Sequence, residues 1–128
     1  MRTDKELDFL ENHIPDLANS ATQQAQKSGY RTYLYFIATQ DPLINISRVK
    51  NRVKHGGHDV PQEKIISRYY KTLQNLSRAI KYTNRAYIFD NSSHQRTYLA
   101  EITDAKTIEI KTPTIPQWFD RYILKEDI

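Results

Sequence analysis

Apolar residues recur along the chain in two rhythms, one suited to helices and one to strands. Over residues 4–12, Leu7 and Leu10 lie three apart with Thr3 or Asp4 placed to cap, which predicts a short helix. Pro15 interrupts it. Leu17, Ala18, Ala21 and Ala25 then keep helical spacing over 16–28, and Gly29 suits the position just past a helix end. Residues 31–39 read as a strand, nearly continuous in aromatic and β-branched side chains, the pattern of a buried parallel strand. Asp41-Pro42 joins an N-cap to a first-turn proline. Ile44, Ile46, Val49 and Val53 give that helix its stripe, and Gly56-Gly57 ends it. The next helix begins near Pro61, with Asp59 as its N-cap. Ile65, Ile66, Tyr69, Leu73, Leu76 and Ile80 hold a period of about 3.6 residues as far as Tyr82.

A second strand covers 85–90 and stops at Asn91-Ser92-Ser93. The runs 97–102 and 107–111 around Asp104-Ala105 predict a hairpin. Pro113 and Pro116 lead into a terminal helix carrying Trp118, Phe119, Tyr122 and Ile123, where Trp118 and Phe119 read as core. This order predicts an α/β fold whose strands 31–39 and 85–90 are parallel. Two such strands are too few for a doubly wound sheet. The pattern therefore reads as part of a larger sheet, completed by a missing segment or by another copy.

Composition narrows the chemistry. A chain of 128 residues holds one compact domain, here taken as 1–128. No apolar run approaches the roughly 20 residues that span a bilayer, and the N-terminus lacks the apolar core of a secretory signal. The expectation is a cytoplasmic protein with no membrane contact. Cysteine is absent, which excludes disulfides, thiolate metal sites and cysteine nucleophiles. Gly29, Gly56 and Gly57 cannot be written into a P-loop or a dinucleotide fingerprint. The net charge of +4 is uneven: ten basic residues from Arg48 to Arg85 face only Asp59 and Glu63. Such a block either attracts polyanions or is a solvated helix face.

The segment Arg48-Val49-Lys50-Asn51-Arg52-Val53-Lys54-His55-Gly56-Gly57-His58-Asp59-Val60-Pro61 is distinctive. Arg68-Tyr69, Asn75-Leu76 and a strand ending Asp90-Asn91-Ser92 follow it. Together they resemble the C-terminal half of the zeta-toxin-like P-loop kinases, a bacterial group also labelled ABC-type ATPases. Tyr33 to Thr39, Asp41-Pro42, Asn45-Ile46 and Ile115-Pro116-Gln117-Trp118-Phe119 extend the resemblance over about residues 29–123, and Leu7 to Leu10 more loosely. It implies a partial three-layer P-loop-kinase-like fold with parallel strands, a helical lid at about 48–82 and a C-terminal β-hairpin. The family's P-loop and catalytic aspartate would lie upstream of this sequence.

The resemblance implies an ATP-dependent kinase of a small molecule or nucleotide sugar, linked to toxin–antitoxin systems. ATP and magnesium are the intact family's cofactors, and neither is expected to bind this chain tightly. Lid arginines stabilise the transferring phosphate in such enzymes, which makes Arg52 and Arg48, four apart on one helix face, the catalytic candidates. His58 and Arg68 join them as phosphate or nucleotide contacts. Each has a plainer reading: surface arginines, a turn histidine, or an Arg68 paired with Asp59 or Glu63. His55 reads as an ordinary helix-end residue, and Asp90-Asn91 as a turn. His55, His58 and Asp59 lack a fourth ligand, so no metal site is expected. The expected partners are a nucleotide or phosphorylated small molecule, a missing N-terminal half, or a second copy forming a homodimer. The alternative is a non-catalytic module that binds anions, nucleic acid or protein through the basic 48–85 segment.

Overall fold

A computed structural model describes residues 21–125 of the chain. The helix expected at 4–12, and 16–20 of the next, lie outside those residues. Residues 21–27 are helical, and Gly29 closes them at a φ of 87°, with the Tyr30 amide donating to the Ala25 carbonyl and the Gly29 amide to that of Gln26. This paired closure is a Schellman motif, and its left-handed residue is one that glycine adopts without a Cβ penalty.

Strand β1 (Tyr33–Ala38) follows, then helices α1 (Pro42–Lys54) and α2 (Gln62–Lys81), then strands β2 (Arg85–Asp90), β3 (Thr97–Thr103) and β4 (Thr107–Ile110). A helical turn at Gln117–Phe119 runs into a π-helical turn at Asp120–Leu124. The four strands form one mixed sheet in sequence order. β1 and β2 are parallel, and β2–β3 and β3–β4 are antiparallel. The expected parallel pair and hairpin are thus both present. Asp104 and Ala105 turn the hairpin at φ values of 53° and 56°, and the Lys106 amide donates to the Thr103 carbonyl across it. Two left-handed residues match the twist of the flanking strands.

The core lies on one face of the sheet. Tyr69, Leu73, Leu76 and Ile80 form the buried stripe of α2. They pack with Ala86 and Ile88 of β2, Leu99, Ala100 and Ile102 of β3, and Trp118, Phe119 and Ile123 of the terminal turns. Each large side chain so buried contributes about 1.5–3 kcal/mol. A bulge between Ile88 and Phe89 leaves Leu99 unpaired in the register, so Leu99 and Ala100 both point into the core. Asp90 is buried among them, accepting from Trp118 Nε1–H and from the Ser92 amide, each at 2.8 Å.

Two expectations change here. Among the described residues β1 is an edge strand with alternating burial, not a strand covered on both faces: Tyr33, Tyr35 and Ile37 are exposed. Asp59 does not cap α2; Pro61 holds the N-cap position without a side-chain hydrogen bond. The core cluster lies on one face of a mixed α/β sheet. Among the described residues, no helix is long and apolar enough to cross a membrane.

Candidate functional site

The chain leaves β1 at its carboxyl end and enters α1 through Thr39-Gln40-Asp41. The Asp41 carboxylate accepts from the Leu43 amide at 2.8 Å and Pro42 occupies the first turn, as the sequence predicts. The Thr39 hydroxyl bonds Asn45 Oδ1, one turn into α1. Tyr69 of α2 donates its hydroxyl to the Thr39 carbonyl at 2.7 Å. Burial, with neighbouring Tyr70 and Asp41 adding to it, pushes the Tyr69 hydroxyl up to about 12. It therefore stays a neutral donor at physiological pH. One short segment is thus pinned from both helices.

Above it opens a cavity of about 540 Å³. Its floor is Phe36, Ala38 and Thr39 at the end of β1. Its walls are Asn45, Val49 and Arg52 from α1, and Ile65, Arg68, Tyr69 and Thr72 from α2. Helical spacing explains the walls: 45, 49 and 52 share one face of α1, and 65, 68 and 72 share one face of α2. The volume falls within the range of small-molecule pockets. Its place, at the carboxyl end of parallel strands, is where open α/β sheets bind ligands. The lining carries two guanidinium groups and no carboxylate.

Of the candidates from sequence, Arg52 and Arg68 line this cavity together. Arg48 does not. Its Nη2 donates to the Asn91 carbonyl at 2.6 Å, tying α1 to the turn after β2, and its side chain lines a second groove with Lys50, Lys54 and Gln62. His58 is exposed and outside the lining. His55 Nδ1–H donates to the Asn51 carbonyl at 2.8 Å, as befits a helix-end residue. The glycines beside these histidines serve the helix. The Gly56 amide donates to Val53 and that of Gly57 to Arg52, and a Cβ on Gly57 would stand 2.9 Å from the Arg52 carbonyl oxygen. Gly56-Gly57 thus closes α1 directly beneath Arg52. Asp90 is a structural acceptor, and Asn91 contributes to the cavity rim.

Asn45, Thr39 and Tyr69 were not singled out as site residues from sequence. The signal was present in the spacing of Asn45, Val49 and Arg52, which fall on one helical face. Two guanidinium forks on facing helices can grip a phosphate or another oxyanion, while Phe36, Val49 and Ile65 take up apolar surface of the same ligand. No protein-family model, no curated protein and no solved structure matches the chain.

Proposed function

We propose that the chain is the lid-bearing part of a zeta-toxin-like, ATP-dependent phosphotransferase, and that it grips the phosphates of a nucleotide or phosphorylated small molecule. The observation that carries this reading is the convergence of Arg52 and Arg68, from two helices, on one cavity at the carboxyl end of β1. Phosphoryl transfer spreads charge over the γ-phosphate oxygens, and guanidinium groups stabilise it. Transfer also needs a backbone cradle, a lysine, magnesium ligands and a base. Gly56 and Gly57 close α1 and Gly29 ends a helix, so none of them forms the cradle. The chain on its own therefore binds the anion without turning it over. A second reading, a nucleic-acid-binding module, is favoured by Arg48, Lys50 and Lys54 lining the groove on the other side of α1.

The test titrates ATP and a short oligonucleotide into the wild type, Arg52→Ala, Arg68→Ala and Lys50→Ala/Lys54→Ala at low salt, with turnover assayed in parallel. Loss of one charge-assisted contact should weaken ATP binding about tenfold or more in either arginine variant. Equal ATP affinity in all four proteins would overturn the phosphate grip. Wild-type turnover would overturn the non-catalytic assignment. Oligonucleotide binding lost only in the lysine variant would establish the second reading.

A further inference from the structure

Among the described residues, β1 pairs with β2 alone. The direction of its backbone groups is set by that ladder. The Thr32 carbonyl accepts from the Asn84 and Arg85 amides, and the Ala38 carbonyl from the Asn91 amide. In a parallel ladder such residues alternate, so the even positions of β1 bond to β2. Tyr33, Tyr35 and Ile37 turn their N–H and C=O groups away from the sheet. The same three side chains are 54%, 68% and 43% exposed on its open face. The strand reads YLYFIA, with no charge, proline or glycine, and it carries no bulge. Those are the devices that normally blunt an edge. The opposite edge, β4, has four residues and carries Glu109, paired with Lys111.

The Tyr35 ring stacks on Tyr87 of β2, centroids 4.8 Å apart and planes 20° from parallel. Neighbouring strands lie about 4.7–4.9 Å apart, so a tyrosine on a strand added outside β1 would continue the stack. We propose that β1 pairs antiparallel with β1 of a second copy, about a two-fold axis through Tyr35, joining two sheets into one. In this register Tyr35 faces its counterpart and Tyr33 faces Ile37 of the second copy. Each of these pairs exchanges both backbone hydrogen bonds, so every outward group of the three residues is satisfied. On the core side Leu34 meets Phe36 of the second copy. The rings form one row: Tyr87, Tyr35 and their two counterparts.

A register centred on Phe36 would set Tyr35 against Ile37 and Tyr33 against Thr39 beyond the strand end, which breaks the row of rings. The charge-free strand meets itself without like-charge repulsion, and Arg31 falls opposite Thr39 of the second copy. A polyanion finds less on this face, because Arg85 beside it already pairs with Glu101 and Arg31 Nε donates to the Tyr33 hydroxyl.

The chain has no cysteine, so a single introduced one reports the register without background. Across the axis, position 35 stands about 5.5 Å from its counterpart between Cα atoms, within the roughly 4.4–6.8 Å that a disulfide spans. Position 37 stands about 13 Å along the strand from its own. Tyr35→Cys should therefore oxidise to a covalent dimer and Ile37→Cys should not. Tyr35→Lys should sediment as a folded monomer where the wild type sediments as a dimer, with circular dichroism unchanged. A wild type that stays monomeric at high micromolar concentration would overturn the proposal. So would equally fast cross-linking at position 37, or a monomer that binds an oligonucleotide through Tyr35.

Discussion

Tyr69 joins three structural duties in one side chain. It belongs to the core stripe of α2, it lines the cavity, and its hydroxyl holds the Thr39 carbonyl at 2.7 Å. Its hydroxyl is raised from 10.0 to about 12, first by burial. The folded chain therefore holds this proton more tightly than the unfolded chain does. The stability tied to it is complete below pH 10 and is lost as pH climbs toward about 12. Tyr69→Phe lacks that dependence. Urea unfolding at successive pH values should show wild type and variant converging across that window; a constant gap would disprove the coupling. Sequence periodicity assigns Tyr69 to the core correctly. Its polar partner was not legible, because Thr39 lies 30 positions away in the chain.

At the scale of elements, the parts closed by local hydrogen bonds were the legible ones. Asp41-Pro42 and Gly56-Gly57 mark both ends of α1, since each motif satisfies backbone groups within a few residues. β1 is open on one face, against the buried strand that its composition predicts. Tyrosine suits a buried face and an open one alike, so the run Tyr33 to Ala38 gave no period-two signal. Arg52 is named through the resemblance, and the structure places it in the cavity wall. The place of Arg48 was not legible, because its partner, the Asn91 carbonyl, lies 43 positions on. The closure of α1 carries a prediction. Gly57→Ala sets a Cβ 2.9 Å from the Arg52 carbonyl oxygen, a backbone atom that cannot step aside. It should cost about 1–2 kcal/mol of stability, seen as a lower urea midpoint. It should also weaken ATP binding, since the helix end that frays carries Arg52. Unchanged affinity in a destabilised variant would separate the cap from the site.

Across the whole molecule, one buried contact holds the end of the chain to the centre of the sheet. Trp118 Nε1–H donates to Asp90 Oδ2 at 2.8 Å, and Asp90 is 6% exposed. Trp118→Phe keeps a ring in place but leaves a buried carboxylate oxygen without a donor. The expected loss is about 2–3 kcal/mol in global unfolding. If fluorescence-independent probes such as circular dichroism report less than half of that, another donor has replaced the indole.

The register of the sheet also sets an order of assembly. β2, β3 and β4 meet through short turns, whereas β1 reaches β2 across a separation of 52 positions, as between Thr32 and Asn84. Closing so long a loop carries an entropic cost before any contact rewards it. By that cost, the three-stranded meander with α2 packed on it is expected to form first and β1 to dock afterwards, which φ-values near zero in β1 would check. Substitutions within β1 therefore act chiefly on the rate at which the molecule comes apart, and those in the meander on the rate at which it forms. The latest strand to arrive is also, among the described residues, one of the two edge strands. A chain in which β1 has not docked would expose the β2 edge that β1 covers, and pairing between such copies is expected there.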